Sequence, residues 1–288
     1  MKGSADATKS ALEGSLHLWP NGAVFVGANM VNEPHRHFTA SILVGLDGPI
    51  RVRCEGSDWM SVDAVAVAPN CDQQLDARSR ALATLQIDPE SDDYGRIVHR
   101  FSGGPVHVLS PAVVERTRAS IRAVDGSSKA AFEAWTRTLD ELAMGGEPRR
   151  PIDPRIRRAL GIIKQDFLSP PPAAELAAAV GLSPGRLIHL FTQEMGLPIR
   201  RYVLWLRLRD VLFSVAVGKS LTEAAHQAGF SDSPHLSRTF RGMFGFPPSA
   251  IADARGRVRL CYDLSVSMSQ LSPHPRLDDE RLAGVAVR

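Results

Sequence analysis

Short apolar segments dominate the first third of the chain. Five of them, rich in Val, Ile and Leu and separated by Gly, Pro, Asn and Asp, lie between residues 23 and 87: AVFVGANM, SILVGLDG, IRVRC, VDAVAVAP and ALATLQI. Such segments are typical of β-strands, and several strands at short spacing favour a small β-barrel or sandwich. We therefore predict a β domain over residues 1–110.

Helical spacing begins after Pro111. VVERTRASIRAV and KAAFEAWTRTLDELAM flank a turn at residues 125–128, and the second segment repeats apolar residues at steps of three and four: Phe132, Trp135, Leu139 and Leu142. This spacing predicts a helix with one apolar stripe. We predict a pair of helices over residues 111–145, whose stripe packs either on the β domain or on another subunit.

Composition marks the remaining boundaries. GGEPRRPIDP is typical of a linker, which we place at residues 146–153. Asp153 followed by Pro154 suits the start of a helix. A helical domain is expected over residues 154–255. Ser, Pro and scattered charge without periodicity then predict a loosely ordered tail over residues 256–288.

One helical pattern occurs twice in this second domain, as AAELAAAVGLSPGRLIHLF and LTEAAHQAGFSDSPHLSRTF. Each copy has a short helix with small residues, then a glycine (Gly181 or Gly229), then a second helix. Glycine suits a positive φ at a sharp turn, and small residues let two helices cross closely. The pattern predicts two helix-turn-helix units whose second helices enter the DNA major groove. Ordinary helical hairpins in a core are the alternative, which the matching turns disfavour.

The segment that joins the copies, residues 198–217, has helical length and no internal Gly or Pro. Twenty helical residues span about 30 Å, close to one turn of B-DNA at about 34 Å. Such a rod would set two recognition helices into successive major grooves. Among its arginines, Arg200, Arg201, Arg207 and Arg209, we expect some, with Arg201 and Arg207 as the candidates, to contact phosphates; a solvated basic face is the alternative.

Residues 152–254 resemble the DNA-binding domain of the AraC/XylS family of transcription regulators. The resemblance covers DPRIRRALGIIKQDF, ELAAAVGLSPGRLIHLFTQEMG, the joining helix and TEAAHQAGFSDSPHLSRTFRGMFGFPPSAI. It implies a sequence-specific regulator, more an activator than a repressor, with double-stranded DNA and RNA polymerase as partners. In related regulators the preceding helical pair often forms the dimer interface, so a homodimer is expected.

Matching to the family pattern also indicates DNA contacts near the start of each second helix. Arg238 is the best candidate for bidentate recognition of guanine, a contact that discriminates by about 1–3 kcal/mol, with a phosphate contact as its alternative. Apolar contact with thymine methyls and hydrogen bonds from Arg186 and His189 are expected in the first unit. The full predicted set is Ser183, Gly185, Arg186, Ile188, His189, Ser233, Pro234, His235 and Arg238, with Arg201 and Arg207.

The order of EPHRHFTASILVGLDGPI and VDAVAVAPNCDQQLDA resembles the cupin-like sensor barrel found ahead of this DNA-binding domain. His35 and His37 would point to one face of a strand. The glutamate and third histidine of metal-binding cupins are missing, so we predict neither a metal nor a catalytic site. Instead we expect an organic effector to contact five side chains: His35, His37, Ser41, Cys71 and Gln73. For Cys71 a small buried hydrophobe or a redox sensor are both open.

Charge and cysteine content fit this division. The chain carries 34 Lys/Arg and 31 Asp/Glu, net +3. Residues 150–260 hold 16 basic against 8 acidic residues (+8), whereas residues 1–149 hold 15 against 19 (−4). The positive part is therefore the one with the helix-turn-helix pattern, as phosphate attraction requires. Three dispersed cysteines, and no segment with signal-peptide or membrane-spanning character, predict a cytoplasmic protein.

Together these observations predict an α+β multidomain chain: a cupin-like β-barrel, a helical pair, and an all-α domain with two helix-turn-helix motifs joined by a long helix. The predicted function is an effector-responsive DNA-binding regulator without a cofactor and without enzymatic activity. Two alternatives stay open. One is a cupin-type metal-dependent enzyme fused to a DNA-binding module, and the other is a constitutive regulator whose barrel only dimerises.

Overall fold

The structure is a computed structural model and describes residues 11–19, 21–124, 126–144, 151–252 and 256–262. Most of the predicted linker (its residues 146–150) and of the predicted tail (its residues 263–288) lies outside the described residues, as does Asp125 of the predicted turn. Within the described part, no helix is long and apolar enough to cross a membrane.

Two sheets form the N-terminal domain, and their strands are antiparallel except for one parallel pair. The larger has seven strands in the order β10-β7-β4-β9-β2-β1-β11, and the smaller has four in the order β3-β8-β5-β6. Strand bounds are β1 Glu13–Trp19, β2 Gly22–Ala28, β3 His35–Arg36, β4 Ala40–Gly45, β5 Ile50–Cys54, β6 Met60–Val62, β7 Ala64–Val67, β8 Asp72–Asp76, β9 Ala81–Ile87, β10 Val106–Val108 and β11 Val258–Tyr262. Residues of β4 and β7 are buried throughout, whereas β5 alternates between buried and more exposed positions.

The sheet-rich N-terminal domain is confirmed, but the predicted cupin-like barrel is not closed. Among the described residues, neither sheet closes on itself, since each has a linear strand order with two distinct edges. Short strands that bury one face suit a barrel and a sandwich equally, because in both architectures buried and exposed residues alternate along each strand. Closure depends on which distant strands form hydrogen bonds, and local pattern carries no information about that.

Nine helices accompany the sheets in the described part of the chain. Their bounds are α1 Asp92–Ile97, α2 Pro111–Arg122, α3 Ser128–Ala143, α4 Pro154–Gln165, α5 Ala173–Ala179, α6 Pro184–Met195, α7 Ile199–Ala216, α8 Leu221–Gln227 and α9 Ser233–Phe244. A single turn of 3-10 helix follows α1, and another follows α9. The predicted joining helix is confirmed, since α7 lies between a cap at Pro198 and a cap at Val217.

The predicted apolar stripe of α3 packs on the chain's own sheet. Trp135, Leu139 and Leu142 are buried in a cluster that includes β-strand residues such as Trp19. Phe132 stacks on Trp135 with ring centroids 5.7 Å apart, and both rings meet Trp19 edge-on at 5.4 Å. The stripe therefore covers the large sheet, and any contact between subunits would use other surfaces of this helical pair.

The start of the predicted tail is ordered, which corrects that prediction. Residues 258–262 form β11, which pairs in parallel with β1 from Gly14↔Val258 to Leu18↔Tyr262. The Gly14 N–H donates to the carbonyl oxygen of Arg257 at 2.9 Å. The sequence VRLCY is too short to show a periodicity, and its partner lies about 240 positions away in the chain. The C-terminal domain is thus followed by a strand that belongs to the N-terminal sheet.

The two domains share one apolar core. Phe38 of the β domain meets Trp205 of α7 edge-on, with ring centroids 6.4 Å apart. Polar contacts surround this core at the loop after β9, where Lys164 lies 2.9 Å from Glu90 and the Tyr202 hydroxyl donates to Glu90 at 3.0 Å. Burial raises the pKa of Tyr202 well above its usual value, so this hydroxyl keeps its proton.

Candidate functional site

The two repeated segments fold into two matching helical pairs, α5 with α6 (the first pair) and α8 with α9 (the second pair). Gly181 and Gly229 have φ of 71° and 74°, which confirms the predicted positive φ. Just after each glycine, Leu182 N–H donates to the carbonyl oxygen of Ala177 at 2.9 Å and Phe230 N–H to that of Ala225 at 3.0 Å. The same turn is therefore built twice, because the same backbone requirement is met by glycine in each copy.

The second helices begin with matched caps. The Ser183 side chain accepts from the Arg186 N–H at 3.4 Å, and the Asp232 side chain accepts from the His235 N–H at 2.5 Å. Pro184 lies in the first turn of α6, as does a proline in the first turn of α9. The hydrogen bond from the His235 backbone lowers the pKa of Asp232. A carboxylate at a helix start also interacts favourably with the positive end of the helix dipole.

Most of the predicted DNA-contacting side chains lie on open surface near these helix starts. Ile188 keeps 48% of its surface exposed, which is uncommon for so apolar a residue. His235 is half-buried, because its ring rests against Phe230 and its Nδ1 lies 3.2 Å from the Ser231 hydroxyl. The exposed members of the set are Ser183, Gly185, Arg186, Ile188, His189, Arg201, Ser233, Pro234 and Arg238.

Two arginines of α7 have hydrogen-bond partners within the protein. The Arg207 guanidinium donates to the carbonyl oxygens of Phe167, Leu168 and Gly229 at 3.4, 2.8 and 3.1 Å. Its guanidinium thus links the segment between α4 and α5 to the turn of the second pair, and its contact with DNA stays a prediction. Arg209 faces the β domain and donates to Asp88 at 2.9 Å. Helical spacing alone could not separate these two from the exposed Arg201.

A cavity lies between the β domain and helices α7 and α9. It has an unfilled volume of about 1170 Å³, including its part open to solvent. Its walls are mainly apolar: Leu16, Phe25, Leu43, Trp205, Leu212 and Phe244 are representative. Because walls of both domains are needed, the cavity exists only when the two domains are packed together.

The predicted effector residues divide into two groups in the structure. His35, His37 and Gln73 line the cavity. Ser41 and Cys71 are buried outside the lining. The Ser41 hydroxyl instead donates to Gln86 Oε1 at 3.0 Å. Cys71 lies beside Cys54, and their hydrogen bond and burial raise the pKa of the Cys71 thiol, as suits an unreactive buried side chain.

Gln86 joins several polar side chains at one end of the cavity. Its Oε1 accepts from the hydroxyls of Thr39 and Ser41 and from His37 Nδ1, the last at 3.1 Å. His35 Nδ1 lies 2.8 Å from the carbonyl oxygen of Glu33, and the rings of His35 and His37 are 4.5 Å apart. Burial lowers the pKa of His35 to about 4 and that of His37 well below its usual value. Both imidazoles are therefore neutral at pH 7.

Sequence reasoning missed Gln86, Asp88 and Arg209, all of which line the cavity. Burial raises the pKa of Asp88 to about 6, against the opposing effect of Arg209. The one sequence signal that could have indicated Asp88 is its place as a lone aspartate at the end of an apolar strand. The partner in α7 lies 121 positions further along the chain, and no local pattern connects the two.

The C-terminal region is similar to helix-turn-helix domains of known proteins. A model described as a helix-turn-helix domain matches residues 176–254. The HTH-type transcriptional regulator GbdR of Pseudomonas aeruginosa (strain UCBPP-PA14) is 32% identical over 98 residues, which are 33% of this chain and 26% of that protein. The match thus spans about a quarter of that relative's length.

Similarity to solved structures extends over both domains. ToxT of Vibrio cholerae O395 aligns with a TM-score of 0.53 and 10% identity, covering 85% of this chain and 98% of ToxT. A second ToxT structure, bound to (E)-4-(8-methylnaphthalen-1-yl)but-3-enoic acid, aligns with a TM-score of 0.51 and 12% identity over 84% of this chain and 98% of ToxT. At this identity the likeness shows the fold alone: a sheet-rich N-terminal region followed by a helical domain.

Proposed function

We propose that this chain, whose C-terminal domain is an AraC-type helix-turn-helix domain, is a transcription regulator that binds DNA with both of its helical pairs. The observation that supports this most is the duplication itself. Two pairs with the same glycine turn and the same type of cap lie at opposite ends of one helix, α7.

The length and charge of the domain suit two successive major grooves. With 18 residues, α7 spans about 27 Å, of the order of one turn of B-DNA. The net charge of +8 over residues 150–260 supplies attraction to phosphates. We propose that α6 and α9 are the two recognition helices, and that each presents its capped start to base edges.

We assign base recognition to the exposed side chains of these starts. In the first pair Arg186 and His189 supply hydrogen bonds while Ile188 contacts thymine methyls. In the second pair Arg238 recognises guanine, and Arg201 of α7 contacts phosphate. The remaining contacts of the proposal are Ser183, Gly185, Ser233, Pro234 and His235.

We further propose that the cavity binds a small-molecule effector that changes DNA affinity. The cavity joins the β domain to α7 and α9, so a ligand there contacts both the sensor and the DNA-binding domain. A ToxT structure holds an organic acid, which supports a ligand-binding role for this fold. Coupling requires that the ligand prefers one relative arrangement of the domains.

A regulator is favoured over an enzyme because the sequence matches are to helix-turn-helix proteins. In the described part of the chain, no group of three or more His, Cys, Asp or Glu is placed to hold a metal. We propose activation, with RNA polymerase as a partner, and a cytoplasmic homodimer. A constitutive regulator, the rival proposal, would bind its DNA equally with and without small molecules.

The experiment is selection of bound genomic fragments by the purified full chain, followed by footprinting. Protection of two sites about 10 base pairs apart by one subunit is expected, with affinity falling steeply as salt rises. Absence of any protected fragment at low salt would contradict DNA binding. Protection of a single site would contradict the proposal that both helical pairs of one subunit bind DNA.

Substitutions then separate base contacts from phosphate contacts. Arg238→Ala should relax preference at one base position, whereas Arg201→Ala should weaken binding to all sequences alike. Arg78→Ala removes a well-exposed charge from the β domain and is the matched control, with no expected effect. The reverse pattern for Arg238 and Arg201 would exchange their assignments.

A further inference from the structure

The charge of the cavity wall is balanced within the protein. Among the described residues that line it, Asp88 and Arg209 are the charged ones, and they are bonded to each other at 2.9 Å. The Asp88 side chain is 2% exposed and that of Arg209 is 17% exposed. The single cation of the wall is therefore already paired with a buried carboxylate.

A ligand carboxylate would be poorly accommodated next to this pair. It would bring a second negative charge beside Asp88, and like charges at close range in a dry site repel strongly. The alternative, displacement of Asp88 from Arg209, would leave a buried carboxylate without its cation. The wall thus disfavours organic acids, unless Asp88 takes up a proton.

The histidine pair has the opposite preference, because it offers acceptors. The Glu33 carbonyl oxygen can only accept, so His35 Nδ1 must carry the proton; His37 Nδ1 likewise donates to Gln86 Oε1. In neutral imidazoles this leaves each Nε2 as an acceptor. His35 Nε2 is buried and has no hydrogen-bond partner within the described residues. A group that donates a hydrogen bond would satisfy it.

We propose that the cavity binds an electrically neutral, largely apolar molecule whose hydroxyl group donates to the His35–His37 pair. The apolar body lies against the rings and aliphatic side chains of the wall, and the Asp88–Arg209 pair excludes carboxylates. The inference rests on the proposed effector role of the cavity, and it differs from the acid bound to ToxT.

Three matched probes test this on the full chain without DNA. The first is (E)-4-(8-methylnaphthalen-1-yl)but-3-enoic acid, the second is the alcohol in which CH₂OH replaces its carboxyl group, and the third is the methyl ether of that alcohol. In titration calorimetry at pH 7.5, the alcohol should bind at least about tenfold more tightly than the acid. The ether, which cannot donate, should bind about fivefold more weakly than the alcohol.

Substitutions should change these preferences separately. Asp88→Asn removes the negative charge that would face the ligand carboxylate beside Arg209, so the affinity for the acid should rise about tenfold while that for the alcohol stays within about twofold. His35→Asn keeps an amide donor near the place of Nδ1 but lacks Nε2. It should reduce the preference for alcohol over ether to about twofold or less, with no change for the acid.

Two results would overturn the inference: binding of the acid as tight as that of the alcohol to the wild-type chain, or no binding of any of the three probes. These measurements use the wild-type chain alone and do not depend on the folding of a variant. Failure of the proposed regulation is separate. It would appear as tight binding of the alcohol without any change in affinity for selected DNA. If only the acid changed the affinity for DNA, the proposed regulation would stand and the neutral ligand would be rejected.

Discussion

The two helical pairs have matching starts but different ends. Both second helices begin at an exposed cap and end at a glycine in the left-handed region, Gly196 with φ of 71° and Gly245 with φ of 75°. At Gly196 the contact with the β domain is a hydrogen bond from the Asn70 side chain to its carbonyl oxygen. At Gly245 the carbonyl oxygen accepts from Glu33 N–H at 2.8 Å, and the backbone packs directly against residues 32–35.

This difference shows how a ligand would reach the DNA-binding domain. Phe244, the last residue of α9, lines the cavity and meets His37 edge-on at 5.6 Å. The α6 helix contributes no residue to the lining. If the cavity holds the proposed effector, a ligand that moves the histidine pair would act on the second pair through Phe244. The first pair would follow through α7 and through its contact with Asn70.

The largest expected effect comes from adding a methyl group at each of these glycines. In Gly245→Ala the new Cβ would lie 2.5 Å from the Glu33 carbonyl oxygen and 2.6 Å from Asn32 Cβ, in a φ that alanine disfavours. In Gly196→Ala the nearest atom would be 3.5 Å away. We expect losses in the free energy of unfolding of about 2–4 kcal/mol and about 1 kcal/mol respectively, measured by urea denaturation.

Equal losses in these two variants would contradict the comparison, because they would show that the β domain does not constrain the end of α9. Limited proteolysis between the domains provides a second readout. Cleavage should become faster in Gly245→Ala and stay unchanged in Gly196→Ala.

The next effect is a pH dependence of stability, which comes from Asp88 and its contact with Arg209 of α7. The pKa of Asp88 is raised to about 6 in the folded protein from an ordinary value of 3.8. The folded state therefore binds this proton more tightly than the unfolded state, so the contribution of Asp88 to stability falls as pH rises from about 4 through about 6. The total change in this contribution is at most about 3 kcal/mol. The uncharged Asn70–Gly196 contact adds no such dependence.

Urea unfolding at pH 4, 5, 6 and 7 measures this slope. Asp88→Asn should remove this contribution and so change the slope, whereas Asp92→Asn, at an exposed position at the start of α1, is the matched control that should leave the slope unchanged. A slope that is the same in wild-type and Asp88→Asn protein would argue against a buried, proton-binding Asp88.

A smaller effect tests the part of the comparison in which the pairs are alike. Ser183→Ala and Asp232→Ala each remove one cap. Because both caps satisfy one backbone N–H at a helix start, amide exchange in the first turn of α6 and α9 should accelerate by a similar, roughly fivefold factor. Ser237→Ala, in the body of α9, is the control. Acceleration in only one pair would show that the two starts are not equivalent.

The smallest effect concerns the remaining contact of the first pair. Asn70 has φ of 59°, which glycine adopts freely, so Asn70→Gly removes the side-chain hydrogen bond without backbone strain. The contact is exposed, and the free energy of unfolding should change by less than about 0.5 kcal/mol in urea denaturation. A loss above about 1.5 kcal/mol would mean that the first pair is held as firmly as the second.

Local sequence determined the helical pairs. The glycine turns, the cap at Asp153 and the extent of α7 depend on residues within a few positions of each other, so propensity and spacing are enough to predict them. The exposure of the predicted DNA-contacting side chains follows from the same helical spacing, since the apolar face of each helix is buried and the opposite face remains outside.

Tertiary structure alone decided the rest. Whether the sheets close, where β11 pairs, and whether an arginine of α7 faces solvent, carbonyl oxygens or Asp88 all depend on residues far apart in the chain. The cavity likewise takes its histidines from a β-strand and the chain segment beside it, and its aromatic wall from two distant helices. Alternation and spacing describe one element at a time, whereas these features are set by the packing free energy of the whole fold.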